Sequence, residues 1–538
     1  MSTLRTDTLQ TTDSSYTINI NSIANRVDLA NNTDPTKGAA LVGFDGTNLK
    51  VQLKDRIHRV VESVAELKAL DSTEYTKAYI NGYYASGDGG DGEYYVDAAD
   101  LVSPDNGGSV HVAADGARWK LSHRGQVNVK QFGAKGDGVT DDTARLQAAR
   151  DWLAAQSDLP ELVFTPGIYV YSVSPNWAIQ DARITAQGEV KLRYTGVGNA
   201  VIFDADAVDA VGPLPGVIYN VQFGGSNRFI VEAPGTSLNA FFVRSVHHAK
   251  IRGVVRGCGT ASAGLKVNFA VLTEFDIIVS GNHMGVWYLG AKPAEGYNLD
   301  QRGPGETASY CYFPNAIVEG PDIGVHLVNS LGNIFSGGAF EGCTTYGALI
   351  ETTALSDKFI GTDFEVNTVA DVFCQGFGTE FIDCDTFSLI NLGTASRRCL
   401  ITGGQHQSIG LDVGGLANRV LHTTYNRFAS SGTFTDGSLS ATISDVRNGN
   451  GAPALSGSVT YDAPSIGIGA TATTTITVQG ARLGDAVVIS STVFLSGLVL
   501  NAIVSSANTV TVFLTNIAGV AVDAPSTTLR AWIYRQAF

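Results

Sequence analysis

The residues with the clearest capacity for chemistry are carboxylates placed at matching points of a repeat. Five segments, FPNAIVE (313–319), FSGGAFE (335–341), FIGTDFE (359–365), FIDCDTF (381–387) and LITGGQH (400–406), align with first residues 22, 24, 22 and 19 apart. Their last position carries Glu319, Glu341, Glu365, Phe387 and His406, and the position two earlier carries Ile317, Ala339, Asp363, Asp385 and Gly404. If successive repeats stack as strands about 4.8 Å apart, two acidic columns run side by side. Glycoside hydrolysis uses two carboxyl groups in opposite protonation states, about 5 Å apart for retention and about 6.5–9.5 Å for inversion. Adjacent repeats supply the first separation, and diagonal or two-repeat steps the second. Crowded like charges raise the pKa of one member, as a general acid needs. The spacing nominates Glu341, Glu365, Asp363 and Asp385 as catalytic, with Glu365 or Asp385 as the acid and its partner activating water. The same carboxylates suit two plainer roles, capping turn amides and hydrogen bonding a sugar without cleaving it.

A second informative stretch, YLGAKPAEGYNLDQRGPGETASYCYF (288–313), interrupts the repeat and reads as an insertion. Trp287, Tyr288, Tyr297, Tyr310 and Tyr312 offer flat apolar faces to sugar rings, and Arg302 a fork for carboxylate or hydroxyl groups. A contact between subunits would use the same residues. A lyase would need a base for the C5 proton of a uronic acid and a group to neutralise its carboxylate; His283, His326 and His406 are candidates, and His326 and His406 also count as substrate-binding residues. No GxSxG nucleophile context is present, no acidic cluster has calcium-loop spacing, and neither a metal site nor a cofactor is expected.

Residues with such a repeat must sit on a solenoid, in which each unit buries its apolar face only by stacking on its neighbours. Each aligned segment is followed by a turn and a short apolar strand, as at Gly324–Leu327, Gly347–Ile350 and Gly410–Val413, and earlier at Gly264–Val267 and Gly285–Tyr288. The expected fold is all-β: a parallel β-helix over residues 125–425, closed at its start by a helix near 143–155 that Asp141 or Asp142 caps and that packs through Leu146, Ala149 and Leu153. Before it lie a polar arm and an amphipathic helix (1–70, the helical pattern spanning 53–70) and a small β cap (71–124). After it come a Gly/Ser/Asn-rich linker (426–456) and alternating strands that form a β-sandwich (457–538).

The bulk properties agree with a modular β protein. Among 538 residues, 61 are Gly and only 16% are charged, and long helical heptads are absent. A net charge of −15, from 36 basic and 51 acidic residues, provides no basic stripe for nucleic acid. A polyanionic glycan would need a locally basic groove, which mildly favours a neutral or weakly acidic one. No apolar stretch reaches membrane-spanning length and the first residues carry no secretory pattern, so neither membrane insertion nor secretion is expected. Six cysteines lack CxxC spacing and read as buried thiols of a protein assembled in cytosol.

The segment from Val127 to Ala149, with FGAKGDGVTDDTARLQAA, closely resembles the opening motif of pectate-lyase-like β-helix proteins, which is frequent in bacteriophage tailspikes. Gly87-Asp88-Gly89-Gly90 followed by Tyr94-Tyr95 resembles the stretch that often precedes it, and Asn333 to Glu341 resembles a recurrent tailspike coil. The resemblance implies a right-handed β-helix, with the aspartates of the opening motif capping and turning its first coil. It also implies a homotrimer held by the C-terminal β-domain. The N-terminal region would attach to phage tail or adaptor proteins, placing the chain in the virion after assembly in the host cytoplasm. At the cell surface such a spike recognises capsule or O-antigen polysaccharide, and most also depolymerise it. A lyase, a non-catalytic adhesin spike and a secreted bacterial polysaccharide-degrading enzyme are the alternatives.

Overall fold

A phenylalanine recurs at one point of each repeat, and the fold follows from where those rings go. In the computed structural model Phe275, Phe313, Phe335, Phe359 and Phe381 form a continuous column, with successive ring centroids 5.2, 4.4, 4.7 and 5.3 Å apart and the last three ring pairs within 15° of parallel. All five are fully buried. They lie inside a parallel β-helix whose strands pair with the coil before and the coil after, for example Tyr312–Glu319 with Ile334–Glu341 and Ile323–Leu327 with Tyr346–Ile350. The described residues are 58–535 except 159, 208–215, 234–237, 259–262, 281–293, 304, 426–432, 438–440, 445 and 449–453, together with four short strands between Thr8 and Asn48. They divide into two units, Met1–Lys135 with Ala144–Thr165, and Gly136–Thr143 with Pro166–Phe538.

The coil bends sharply where one residue adopts a left-handed conformation. Leu272, Tyr310, Gly332, Ser356, Gly378 and Arg398 occupy equivalent corners with φ between 50° and 68°. Each donates its N–H to a carbonyl of the next coil, as from Tyr310 to Leu331 (2.8 Å), Ser356 to Phe377 (2.7 Å) and Arg398 to Leu416 (2.9 Å). A left-handed non-glycine residue costs about 1 kcal/mol or more, a penalty offset here by the inter-coil bond. At a second corner a buried asparagine satisfies the turn: Asn333 accepts from the Cys311 amide (2.9 Å) and donates to Ala308 O (2.9 Å), and Asn367 does the same for Cys343 and Phe340. Glycine is required at Gly296, Gly324 and Gly347, where a Cβ would lie 2.2–2.7 Å from neighbouring-coil atoms.

Two expectations are corrected at this level. Most of the supposed insertion is regular coil: Glu295–Gly303 pairs in register with Ala263–Val271 on one side and Ile323–Leu327 on the other. Its alternation of inward Tyr297 and Leu299 with polar Asn298 and Asp300 is the strand signal, and Gly296 takes the register position beside Gly264; the Gly285–Tyr288 strand expected from the sequence lies outside the described residues. The helical pattern of 53–70 resolves differently in its described part, residues 53–57 lying outside the described residues. Arg59–Val61 is a strand parallel to Lys77–Ile80, and among the described residues of the pattern Val64–Ala69 alone is helical, started by Ser63, whose hydroxyl accepts from Glu66 N (3.3 Å). The β-branched pair Val60 and Val61 favours the strand.

In the first unit this strand opens a five-stranded sheet ordered Arg59–Val61, Lys77–Ile80, Gly92–Val96, Arg118–Ser122, Val110–Val112. Helix Thr143–Ala154 buries Leu146, Ala149, Trp152 and Leu153, and Asp141 Oδ1 accepts from the Thr143 amide (2.8 Å) as its cap. Asp142 is buried and accepts from Gly136 N (3.0 Å), so the paired aspartates of the opening motif both act as backbone acceptors. Beyond the last coils the chain forms two three-stranded antiparallel sheets, Ser456–Tyr461/Thr527–Tyr534/Ala486–Ser491 and Thr471–Thr477/Thr509–Asn516/Leu498–Ser506. Arg535, nearly fully buried, ties them back to the β-helix: it pairs with Asp485 (2.7 Å) and with Asp436 of the last coils, and its carbonyl accepts from Ile443 N. All six cysteines are buried free thiols.

The phenylalanine column should carry the unfolding transition of the β-helix. Phe335→Ala is expected to lower its stability by about 3–5 kcal/mol, whereas Phe494→Ala, at an 89% exposed ring, should change it by less than about 0.5 kcal/mol; denaturant unfolding followed by circular dichroism compares the two.

Candidate functional site

The inward column fixes the outward ones. In Tyr312–Glu319 the residues Ala316 and Val318 are buried while Ile317 and Glu319 face out, and in the next two coils Phe340 and Phe364 are buried between partly exposed Ala339 and Glu341 and between Asp363 and Glu365. Register then places Glu319 beside Glu341 and Glu341 beside Glu365, with Ile317, Ala339, Asp363 and Asp385 in the adjoining row. Neighbouring members sit at the interstrand spacing of about 4.8 Å, and Asp363 and Glu365, two residues apart on one strand, at roughly 6.5–7 Å. Both acidic columns therefore form. Ser280 occupies the coil before Glu319 and donates its hydroxyl to that carboxylate.

The columns end differently from the sequence alignment. Phe381 pairs with Ile401, not Leu400, so the last repeat is one residue longer than its aligned form. His406 consequently lies beside Thr386 in the inward column, 1% exposed, with its Nδ1 3.1 Å from the Thr386 hydroxyl. It is a core residue and cannot contact glycan. Two apolar residues in succession, Leu400 and Ile401, leave the register ambiguous by one, and a one-residue slip exchanges the faces. Tyr297 is likewise corrected: it is fully buried and its hydroxyl donates to Ile277 O. Tyr310 and Tyr312 are exposed, Tyr310 because its corner conformation turns the ring outward. Trp287, Tyr288 and His283, and the side chain of Arg302, lie outside the described residues.

Sequence reasoning missed the groups that hold the acidic columns in place. Asp371, fully buried, accepts from the amides of Phe387 (2.7 Å) and Ser388 (2.6 Å) and from Asn367 Nδ2 (2.8 Å). It anchors the register shift between Thr386 and Leu389 that terminates the glutamate column. Burial pushes its carboxyl above the usual range although these donors oppose the shift. Asp385 itself accepts from the Gln405 amide (2.8 Å), so one of the nominated acids also serves the turn. An Asn-x-x-x-Asp spacing, Asn367 to Asp371, was the available signal, but its partners come from another coil.

On the adjoining face His326 stands between two carboxylates. Its Nδ1 is 2.6 Å from Glu295 Oε1 and its Nε2 3.3 Å from Glu351 Oε1. Burial disfavours its charged form, but the two glutamates prevail and hold its pKa above the ordinary histidine value. Among the described residues no group of three or more His, Cys, Asp or Glu is arranged to hold a metal ion.

A folded-state pKa raised above the unfolded value of about 6.5 means that the imidazolium pairs stabilise fully below that pH and lose effect as pH rises through the folded value. His326→Gln should therefore lower the unfolding midpoint more at about pH 5 than at about pH 9; parallel thermal melts at the two values test the sign.

With this geometry in hand, known proteins provide the context. Residues 60–124 match the phage tail protein small four-stranded β-sheet domain, and residues 126–206 match the rhamnogalacturonase A/epimerase, pectate-lyase-like family. The Mu-like prophage FluMu defective tail fiber protein of Haemophilus influenzae is 26% identical over 334 residues, 60% of this chain and 46% of that protein. Mannuronan C5-epimerase AlgE2 of Azotobacter vinelandii is 42% identical over 82 residues, 15% of this chain and 8% of the enzyme. The chain thus spans less than half the length of these curated relatives. Among solved structures, the tailspike protein of Acinetobacter phage vB_ApiP_P1 aligns over 89% of this chain and 99% of its own, at 13% identity and a TM-score of 0.41. Residues 60–124 are thus similar to a phage-tail β-sheet domain, and the residues that follow to the pectate-lyase-like family.

Proposed function

We propose that this protein is a phage tailspike that binds a bacterial surface polysaccharide, capsule or O-antigen, and shortens it by glycoside hydrolysis. The observation that carries the reading is the register that sets Glu319, Glu341 and Glu365 beside Asp363 and Asp385 on one outward sheet. These carboxylates span both separations that hydrolysis uses. Glu341 and Asp363 are the adjacent-coil diagonal pair, Glu365 or Asp385 is the acid, and the partner activates water. Tyr310 and Tyr312, exposed at the start of the same coil, supply apolar faces for the sugar.

The flanking parts fit a spike. We assign attachment to phage tail or adaptor proteins to the N-terminal region, in keeping with the phage-tail domain match at 60–124, and trimer formation to the C-terminal sheets. The outward face of one of these sheets carries Thr471, Thr473 and Thr475, then Thr511, Phe513 and Thr515, then Val499, Asn501 and Ile503, and no charged residue. In a chain of net charge −15, an uncharged face is where like copies meet with least repulsion. The site of action is the bacterial cell surface, reached on the virion.

Purified protein incubated with capsular and lipopolysaccharides should shorten one of them and release reducing ends, without the ultraviolet absorbance of an unsaturated uronic acid. Glu341→Gln, Glu365→Gln, Asp363→Asn and Asp385→Asn, made singly, should include at least two that slow release by about 10²–10⁴-fold. Absorbance growing with chain cleavage would sink the paired-carboxylate mechanism in favour of elimination, and tight binding with no shortening would leave an adhesin. In sedimentation, Phe513→Asp with Ile503→Asp should shift the trimer toward monomer.

A further inference from the structure

The face next to the acidic columns holds a second constellation that the hydrolytic mechanism does not use. Lys266, Asn298, His326, Leu349 and Phe373 are register partners on five successive coils, a run of roughly 19 Å at about 4.8 Å per coil. The upper part is one hydrogen-bonded chain. Lys266 Nζ donates to Asn298 Oδ1 (2.5 Å), Asn298 Nδ2 donates to Glu295, and Glu295 and Glu351 flank the two ring nitrogens of His326. Asp300 joins from the side, 3.3 Å from Lys266 Nζ and accepting from Asn329 Nδ2 (2.7 Å). The lower part is apolar: Tyr346, the register partner of Ile323 and Ala370, stacks on Phe373 with centroids 5.8 Å apart and planes at 24°, both rings partly exposed beside Leu349.

We infer that this face is a lateral glycan-binding subsite for a neutral, hydroxyl-rich stretch of the polysaccharide, separate from the hydrolytic columns; the inference rests on the glycan-acting reading above. The chemistry at the two ends is complementary to one sugar chain. A ring seats its C–H face on Tyr346 and Phe373, while neighbouring hydroxyls donate to Glu351 and Asp300, which are 42% and 29% exposed, and accept from Lys266. Three carboxylates, Glu295, Asp300 and Glu351, against Lys266 and a protonated His326 make the face unsuited to a uronic acid. His326 is the positioning residue: clamped by Glu295, it fixes Glu351, which stands on the coil between His326 and Phe373. Its charge is favoured by both glutamates, so the arrangement is held more firmly at lower pH and loosens as pH rises.

Binding is measured by titrating end-labelled fragments of the polysaccharide that the protein retains, in the background of whichever of the four carboxylate variants slows release most, so that the fragments survive. Neutral-sugar oligosaccharides and uronic-acid oligosaccharides serve as separate probes. Phe373→Ala and Tyr346→Ala should each weaken binding by about tenfold, Glu351→Gln should weaken it and flatten its decline with rising pH, and uronic-acid probes should not compete. His326→Ala should act like Glu351→Gln; should it fail to fold, the half-exposed Glu351→Gln decides alone. Unchanged affinity and pH profile in the ring and Glu351 variants would overturn the subsite while leaving the hydrolytic columns standing. Failure of the parent protein to retain any polysaccharide would overturn the glycan reading itself, and this inference with it.

Discussion

Parallel strands stacked coil on coil at one fixed spacing are the constraint on which the rest depends. The lumen accepts one large ring per coil at the position of Phe275, Phe313, Phe335, Phe359 and Phe381, and stacking those rings face to face locks the register of every strand that carries them. Because side chains alternate across a strand, a locked inward column dictates the outward ones. Glu319, Glu341 and Glu365 form a ladder because Val318, Phe340 and Phe364 are held inside beside them. The acidic site is thus written by the packing of apolar residues it never touches.

A ladder of like charges repels itself, and the surroundings here hold it in place. The buried Asn367–Asp371 pair fixes the turn after Glu365 and the amides of Phe387 and Ser388 at the end of the column. Asn333 does the same one corner away, donating to Ala308 O and to Asp357, whose carboxyl burial pushes up to about 6. Such satisfied buried networks are worth little net stability but enforce one geometry. At the far end Arg535 bridges Asp485 and Asp436 of the last coils, so the C-terminal sheets and the solenoid share a buried ionic contact.

The sequence was most legible where an apolar residue punctuates the repeat without ambiguity. Phe313, Phe335, Phe359 and Phe381 allowed the coil, the two acidic columns and their faces to be read directly, and the opening motif located the helix Thr143–Ala154 to within a residue. Legibility failed where neighbouring positions are both apolar, as at Leu400 and Ile401, where a one-residue slip moved the buried His406 to the surface. It failed again where a loop-like composition hid a strand: the glycines and charges around Glu295–Gly303 concealed the inward Tyr297 and Leu299. His326 was noticed as an isolated histidine, but its partners Glu295 and Glu351 are 31 and 25 residues distant. Only the coil register brings them together. The short helix at Val64–Ala69 shows the local limit, since Val60 and Val61 fit a helical period yet serve a strand.

The most direct test of the central claim is proton NMR of a susceptible polysaccharide recorded while the protein acts on it. Hydrolysis at the carboxylate columns predicts new anomeric resonances of a free reducing end, one stereoisomer appearing first, and no olefinic signal. An olefinic resonance growing in step with chain cleavage would contradict it and move the chemistry away from Glu341, Glu365, Asp363 and Asp385.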